Sequence, residues 1–282
     1  MPVSGATRVA GVIGNPIQHS LSPVLHNAAF AAVGLDWVFV AFEVDDGDAK
    51  AALEGMRAFG IDGLSVTMPH KEAVAALVDR RSDDADALSA VNCVVREGGA
   101  LVGENTDGPG FLDALRVDVG ADPDGRCCLV VGAGGAARAV VRALAGVGAA
   151  EVIVVNRTAD RAEAAAALAG DRGRIGQVED ADGAEIIVNA TPIGMTDGAS
   201  PVPPERLGRG QLVVDLVYEP AVTPLLTAAR DRGATAVNGL GMLIHQAAHA
   251  FRHWTGEDPP VEAMSAAAVA ELARRSPSSP RD

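Results

Sequence analysis

The sequence of 282 residues contains few cysteines and no long apolar run. The cysteines are Cys93, Cys127 and Cys128; their odd number, and the adjacency of two of them, indicate neither a disulfide framework nor a metal cluster. No apolar stretch reaches the roughly 18 residues needed to cross a bilayer, and the first twenty residues lack the basic and apolar regions of a secretory signal. We therefore expect a cytoplasmic protein with no metal and no membrane span.

Positive charge is also scarce. The formal net charge of −14 excludes nucleic acid and anionic membrane as partners, because both bind electropositive surfaces. Of the 23 basic residues, only Lys50 and Lys71 are lysine. Arginine stays charged near neutral pH, so a retained lysine indicates a site that must release a proton. Lys50 follows a run of aspartates and is predicted to be solvated, which leaves Lys71 as the candidate.

Short apolar runs alternate with alanine-rich helical stretches along the chain, a pattern typical of βα units and mostly parallel sheets. Length and pattern together predict an α/β protein of two domains. With the glycine-rich turn and the polar segments described below, they predict a Rossmann-type dinucleotide-binding domain, an α/β substrate-binding domain with a mostly parallel sheet, and a cleft between them. We assign residues 1–108 and 243–282 to the substrate-binding domain and residues 109–242 to the dinucleotide-binding domain. Residues 276–282, rich in Ser, Pro and charge, are predicted to be disordered.

A glycine-rich turn follows the predicted strand Cys127–Val131. The segment Gly132-Ala133-Gly134-Gly135-Ala136-Ala137 matches G-x-G-x-x-G/A in the strand–turn–helix context that this motif requires. Gly132 permits the tight turn, and Gly134 lets a pyrophosphate approach the backbone. The helix predicted to start near Gly135 would favour the phosphates at its N-terminus. The motif therefore predicts a dinucleotide cofactor.

The end of the next strand decides which dinucleotide binds. A site for NAD places an acidic residue there to bind the ribose 2′-OH, and this residue would repel a 2′-phosphate. The sequence instead has Asn156-Arg157-Thr158, with Arg161 at the predicted start of the following helix. Two guanidinium groups without a carboxylate favour a phosphate and predict NADP(H). The alternative is that both arginines are solvated residues at a helix start.

Two polar segments follow predicted strands in the first half of the chain. Ser22, before Pro23, is predicted to be the N-cap of a helix. Ser20 lies two residues earlier in a lead-in expected to be extended, so both hydroxyls would point to one side and could bind a carboxylate. Thr67 and Lys71 follow another strand, at the edge where open α/β sheets bind ligands.

A further carboxylate, Asp107, lies in the polar loop before a helix predicted from about Phe111. It could cap that helix, but we interpret it as an acid that lines the cleft. If Lys71 and Asp107 meet, the pair can hold an alcohol oxygen and transfer its proton while a nicotinamide carries the hydride.

Together, these motifs closely resemble the shikimate dehydrogenase family. The resemblance runs from about Val12 to about Gly256 and covers, in order, Asn15–Asn27, Ser65–Lys71, Ala90-Val91-Asn92, Asn105–Phe111, Gly132–Ala137, Asn156–Arg161, Asn189–Met195, Asp215–Leu225 and Gly239–Gln246. It implies a reversible reduction of 3-dehydroshikimate to shikimate by NADPH, within the chorismate pathway of aromatic amino acid biosynthesis.

The resemblance also implies roles for individual residues. The substrate carboxylate would bind to Ser20 and Ser22, and the ring hydroxyls to Thr67, Asn92, Asp107 and Gln246. Lys71 would be the acid/base group, paired with Asp107, and Tyr218 would close on the substrate. The cofactor would contact Gly132, Ala133, Gly134, Gly135, Ala136, Asn156, Arg157, Thr158 and Arg161, with Asn189, Thr191 and Met195 along its path and Gly239 and Met242 near the nicotinamide.

Two alternatives stay open. A quinate/shikimate dehydrogenase that uses NAD is the nearest, although Ser22 and Arg157 argue against it. A non-catalytic binding protein that responds to NADP or shikimate is the other, and the retention of Lys71 argues against that. Two positions are unusual for the family, since Cys93 occupies a site where Thr is more common and His245 is not a usual catalytic position. A homodimer is among the assemblies that the sequence leaves open.

Overall fold

Alternating apolar segments form two six-stranded sheets within residues 2–275, which a computed structural model of the chain describes. Each sheet belongs to its own compact unit. The first unit comprises the chain up to Thr106 and from Ile244 on, and the second unit is Asp107–Leu243. These boundaries lie within two residues of those assigned from the sequence. Residues 276–282, for which disorder is predicted, lie outside the described residues.

The sheet of the first unit has the strand order β2-β1-β3-β5-β6-β4. Its strands are β1 (Arg8–Gly14), β2 (Trp37–Glu43), β3 (Gly63–Val66), β4 (Arg80–Arg81), β5 (Cys93–Glu97) and β6 (Ala100–Glu104). β1 pairs in parallel with β2 and β3, whereas β5 is antiparallel to β3 and β6. The carboxyl ends of β1, β2 and β3 and the amino end of β5 therefore meet at one edge.

The helices of the first unit are α1 (Ser22–Ala32), α2 (Ala49–Phe59), α3 (Lys71–Leu77), α4 (Asp83–Leu88) and α10 (Val261–Arg275). α2 is amphipathic and buries Leu53 and Met56 against Leu64 and Val94 of the sheet. Burial of such side chains contributes roughly 1.5–3 kcal/mol each. This core keeps the sheet and its polar edge in a fixed geometry.

The sheet of the second unit is entirely parallel, with the order β12-β11-β10-β7-β8-β9. Its strands are β7 (Cys127–Val131), β8 (Glu151–Val155), β9 (Gly173–Ile175), β10 (Ile186–Asn189), β11 (Leu212–Asp215) and β12 (Thr235–Asn238). Read from β9, this is the 3-2-1-4-5-6 order of a dinucleotide-binding fold, whose ligand lies where the order reverses. The reversal lies between β7 and β10.

The helices of the second unit are α5 (Asp107–Asp113), α6 (Gly135–Gly146), α7 (Ala159–Ala166), α8 (Pro224–Asp231) and α9 (Leu240–Thr255). A π-helical stretch over Ala114–Val119 continues α5, and α9 continues into the first unit. α5 begins four residues before the predicted start at Phe111. Proline is tolerated in the first helical turn, and Gly108 there packs closely on Ala143 of α6, so the segment Gly108-Pro109-Gly110 forms the first turn of this helix.

The adjacent cysteines lie on opposite faces of β7. Cys128 is buried with Val130 in one apolar cluster, and Cys127 packs with Leu129 and Val131 on the other face. All three cysteines are free thiols, and burial raises the pKa of Cys128 to about 12. They act as small apolar side chains. None of the helices described is long and apolar enough to span a bilayer.

Candidate active site

Polar side chains gather at one edge of the sheet of the first unit. β1 and β3 are parallel neighbours, paired at Ile13 and Val66, and the segments that follow them leave the sheet side by side. These segments carry four of the predicted substrate-binding residues, Ser20, Ser22, Thr67 and Lys71. The topology therefore brings together residues that are about fifty positions apart in the sequence.

The two serines lie in a turn rather than in an extended lead-in. Ser20 N–H donates to the Ile17 carbonyl at 2.9 Å, and the Ser20 hydroxyl oxygen accepts from Ser22 N–H at 3.2 Å. The N-cap of α1 is Leu21, whose side chain makes no capping hydrogen bond, so the predicted N-cap role of Ser22 is wrong. Because of the turn, the Ser20 hydroxyl oxygen accepts a hydrogen bond from Ser22 N–H, one of the N–H groups at the helix start that have no partner within the helix. Each serine keeps its own O–H as a donor for a carboxylate.

The backbone of Lys71 is fixed at the start of α3. Its carbonyl accepts a hydrogen bond from Val91 N–H at 3.0 Å. The preceding His70 is buried, and its Nε2 lies 2.8 Å from the Val44 carbonyl oxygen. A carbonyl can only accept, so the ring nitrogen donates. The Lys71 side chain, half-buried, therefore extends from a backbone anchored on both sides.

Asn92 lies at the same edge and is buried. Its carbonyl accepts from Val66 N–H at 2.7 Å, and its side chain is hydrogen-bonded to both the N–H and the hydroxyl of Thr106. Thr106 was not assigned a role from the sequence, because its partner is fourteen residues away and only the pairing of β5 with β6 brings the two together. The buried Asp107 follows directly and begins α5. Its pairing with Lys71 stays a prediction.

The remaining predicted substrate contacts lie on other segments. Gln246 is half-buried on α9, next to the buried His245. The same helix is anchored in the first unit by Trp254, whose indole N–H donates to the Val94 carbonyl at 3.1 Å. Tyr218 is half-buried in the segment after β11. The roles of Gln246 and Tyr218 stay predictions.

In the second unit, the glycine-rich turn joins β7 to α6, which begins at Gly135 as predicted. Gly132 has φ +118°, and a Cβ there would lie 2.9 Å from the Ala190 carbonyl oxygen, so the fold itself requires glycine. Gly134 differs, because its φ of −82° suits any residue. Among the described residues, no atom beyond its chain neighbours comes within 4 Å of a Cβ placed on Gly134. This open space before a helix N-terminus suits a pyrophosphate.

Main-chain hydrogen bonds fix this turn between the ends of two strands. Gly132 N–H donates to the Val155 carbonyl of β8, and Ala190 N–H, just after β10, donates to the Val131 carbonyl, both at 2.8 Å. Ala137, at the third position of the motif, is fully buried against the sheet. The turn therefore opens at the point where the strand order reverses.

The end of β8 presents two cations. Asn156 is half-buried and donates to the Thr158 carbonyl at 3.0 Å. Arg157 and Arg161 are exposed, and neither forms an ion pair within the described residues. α7 begins at Ala159, so Arg157 precedes the helix and Arg161 lies in its first turn. Two exposed, unpaired guanidinium groups fit a phosphate.

Asn189 ends β10 and orders the loop that follows it. Its side-chain oxygen accepts from the N–H and the hydroxyl of Thr191 at 3.0 and 2.7 Å. Its amide nitrogen donates to the Ile193 carbonyl at 3.2 Å and to Asp215 at 2.9 Å. The amide is therefore fully used within the unit, and Asn189 can serve a cofactor only through the loop that it holds. The exposed Met195 lies in the same loop.

Gly239 and Met242 have packing roles in addition to the predicted ones. A Cβ on Gly239 would lie 2.1 Å from the Leu216 carbonyl oxygen, so the backbone itself requires glycine there. Met242 is buried in the apolar core of the second unit. Their contacts with a nicotinamide stay predictions. No group of His, Cys, Asp or Glu that could hold a metal is found among the residues described.

Comparison with known proteins places this geometry in a family. Three family models match the chain: the substrate-binding domain of shikimate dehydrogenase over residues 12–94, shikimate / quinate 5-dehydrogenase over residues 119–196, and the C-terminal domain of shikimate 5′-dehydrogenase over residues 239–269. The shikimate dehydrogenase (NADP(+)) of Rubrobacter xylanophilus is 48% identical, over 95% of this chain and 98% of its own length. The chain belongs to the shikimate dehydrogenase family.

Further relatives agree with this assignment. The shikimate dehydrogenase (NADP(+)) of Geobacter sp. strain M21 is 45% identical, over 97% of this chain and 98% of its own. Among solved structures, the shikimate 5-dehydrogenase of Thermus thermophilus in complex with NADP(H) and shikimate is 40% identical. It aligns with a TM-score of 0.89 over 94% of this chain and 99% of its own.

Proposed function

We propose that this chain catalyses the reversible NADPH-dependent reduction of 3-dehydroshikimate to shikimate. Family membership over nearly the whole length supports the reaction, and Lys71 at the polar edge of the first unit is the observation that carries the chemistry. A cytoplasmic location and a homodimer belong to the same proposal. The apparent mass in solution, measured by light scattering, tests the homodimer.

The substrate is an anion with several hydroxyl groups, and the polar edge of the first unit matches both features. The O–H groups of Ser20 and Ser22 bind the carboxylate at the start of α1, where free N–H groups add positive potential. The ring hydroxyls bind to Thr67, Asn92, Asp107 and Gln246, and Tyr218 closes on the substrate. The serine hydroxyls are neutral donors, so they bind the carboxylate without an additional cationic side chain in a chain of net charge −14.

The residues of the second unit fit NADP(H). When bound, NADPH supplies the hydride that reduces the carbonyl carbon. The turn Gly132–Ala136 and the start of α6 hold the pyrophosphate, and Thr191 and Met195 border the route to the nicotinamide. Arg157 and Arg161 bind the 2′-phosphate. The only carboxylate in segment 156–161 is Asp160, which lies in the first turn of α7 and not at the end of β8, where it would repel that phosphate.

Lys71 transfers the proton. In the direction of reduction, its ammonium group donates H⁺ to the carbonyl oxygen as the hydride arrives at the carbon, and Lys71 is left as a neutral amine. In the opposite direction the amine removes H⁺ from the hydroxyl. Asp107 holds the oxygen and the ammonium group in line. A guanidinium could not serve, because it does not release its proton near neutral pH.

A quinate/shikimate dehydrogenase that uses NAD is the second candidate, since the family model over residues 119–196 covers both substrates. The two differ in cofactor and in substrate, so a two-by-two assay of shikimate and quinate with NADP and NAD separates them. We expect the highest kcat/KM for shikimate with NADP. Equal or better turnover with NAD would reject the phosphate site, and equal or better turnover of quinate would reject the substrate assignment.

A further inference from the structure

A fully buried carboxylate connects the segments that follow β10 and β11 in the second unit. Asp215, the last residue of β11, accepts hydrogen bonds from three donors: the Asn189 amide at 2.9 Å, Val217 N–H at 3.1 Å and the Thr223 hydroxyl at 2.6 Å. All three donors are neutral. Burial raises the pKa of Asp215 above its ordinary value. A buried carboxylate without a cation is costly, so its place here calls for an explanation.

The three donors belong to three different segments. Asn189 holds the loop that carries Thr191. Val217 N–H belongs to the segment that leads to Tyr218. The oxygen of Thr223 also accepts from Leu226 N–H and so caps α8. One side chain therefore fixes two loops and a helix start relative to each other.

The three groups that face Asp215 are all donors, so the side chain at this position must supply acceptors. The oxygen of Asn189 is already used by Thr191, so its amide nitrogen must face Asp215, and a backbone N–H can only donate. Both of these donors converge on one carboxylate oxygen, and the Thr223 hydroxyl binds the other. Two acceptor oxygens on one short side chain satisfy all three donors.

The loop ordered in this way also borders the glycine-rich turn. A Cβ on Gly132 would lie 3.1 Å from the Thr191 methyl carbon, so the turn and the loop are in contact. Arg157 and Arg161, in contrast, lie beyond β8 on the other side of β7 and form no hydrogen bond with this network. The network therefore acts on one part of the predicted cofactor site and not on the phosphate-binding arginines.

Resting on the proposed function, we infer that Asp215 is a positioning residue: it holds the Thr191 loop and the Tyr218 segment in the geometry needed to bind the nicotinamide half of NADP(H) and the substrate. It touches neither ligand and acts through Asn189 and Val217. The adenosine half of the cofactor, which carries the 2′-phosphate, is bound elsewhere in the unit and should not depend on it.

This separation gives a direct test by equilibrium binding. We compare the Kd of NADPH with the Kd of adenosine 2′,5′-bisphosphate, which carries the 2′-phosphate but no nicotinamide, for the wild type and for Asp215→Ala. We expect NADPH to bind about tenfold or more weakly to the variant, the loss of one buried hydrogen-bond network. The bisphosphate should keep its Kd within about twofold. Equal weakening of both ligands would overturn the inference.

A destabilised unit could also weaken binding, so a matched control is needed. Val213→Ala lies on the same strand and the same face, two residues earlier, and removes buried apolar contacts without touching the network. It should lower the melting temperature while both Kd values stay near those of the wild type. If Val213→Ala weakens NADPH as much as Asp215→Ala does, Asp215 is merely structural.

Asp215→Asn is the conservative variant for this position, and it keeps the protein foldable if the alanine variant fails. Its amide oxygen can accept from Asn189 and Val217, and its NH₂ can donate to the Thr223 oxygen. We expect it to recover most of the NADPH affinity and of kcat. If Asp215→Asn binds NADPH as weakly as Asp215→Ala does, the positioning role is contradicted. These binding measurements need no turnover, so they remain decisive even if the proposed reaction is wrong.

Discussion

His26 offers a quantitative test of the core of the first unit. Its ring is fully buried on α1; it is stacked on the Phe39 ring, with the ring centroids 4.4 Å apart, and tilted against the Trp254 ring at 4.9 Å. Neither ring nitrogen has a hydrogen-bond partner among the described residues. Burial therefore lowers the pKa of His26 to about 3, from an ordinary value of 6.5. The fold accepts His26 as a neutral, aromatic side chain.

The sign of the pH effect follows from this shift. The unfolded chain binds a proton at His26 below about pH 6.5, whereas the folded chain does so only near pH 3. Stability that depends on neutral His26 is therefore complete above pH 6.5 and falls as the pH is lowered toward 3. At pH 5 the expected loss is about 2 kcal/mol, and the full loss of about 5 kcal/mol is reached near pH 3.

The variant His26→Phe keeps an aromatic ring and cannot be protonated. Its own packing effect is the same at every pH, so the informative quantity is the loss of unfolding free energy between pH 7.5 and pH 5.0. We expect the wild type to lose about 2 kcal/mol more than the variant over this interval. Urea unfolding followed by tryptophan fluorescence is suited to this, because the only two tryptophans, Trp37 and Trp254, both lie in the first unit.

His253→Phe is the matched control, because His253 lies on the surface at the end of α9 and is solvated in the folded and the unfolded chain. It should lose about as much stability as the wild type. If the wild type and His26→Phe show the same loss within about 0.5 kcal/mol, then His26 is not held neutral by burial and the reasoning is wrong.

The cofactor site gives three further predictions. Gly134→Ala should leave the melting temperature unchanged but raise the Kd of NADPH about tenfold, because only a bound pyrophosphate needs that space. Gly132→Ala should instead lower the free energy of unfolding by about 1–3 kcal/mol, because the φ of Gly132 is positive and the Ala190 carbonyl is close. A Gly134→Ala protein with unchanged NADPH affinity would speak against the phosphate position. Arg157→Ala should raise the KM of NADPH about tenfold to a hundredfold and leave the KM of NADH unchanged, as expected for a lost charge-assisted bond. Steady-state kinetics with both cofactors measure this difference. An equal rise in both KM values would mean that the 2′-phosphate lies elsewhere.

Local sequence patterns predicted the strand, the turn and the helix start of the glycine-rich segment, but not the turn that carries Ser20 and Ser22. The run Cys127–Val131 and the glycines after it have signals within a few residues, and the structure has the strand, the turn and the helix start where they were predicted. Lys50 is exposed, as predicted, with 74% of its side chain accessible. Such features depend on local conformation and charge, which a sequence displays directly.

Features that depend on distant partners could not be read in this way. β9 has only three residues and exists because it pairs with β8. The network of Asn189, Asp215 and Thr223 requires β10 and β11 to lie side by side, and the sequence indicates Asp215 only as an acidic residue at the end of an apolar run. The buried His26 likewise resembled an ordinary polar residue of a helix. In each case the deciding contact is long-range in the sequence.

The measurement that tests the account most directly is the kcat of Lys71→Met with shikimate and NADP, beside Lys50→Met. The two substitutions remove the only two lysines of the chain, one half-buried at the polar edge and one exposed. We predict that Lys71→Met lowers kcat by about 10²- to 10⁴-fold with little change in KM, whereas Lys50→Met turns over like the wild type. A Lys71→Met enzyme that retains a kcat within a few-fold of the wild type would contradict the assignment of Lys71 as the group that transfers the proton.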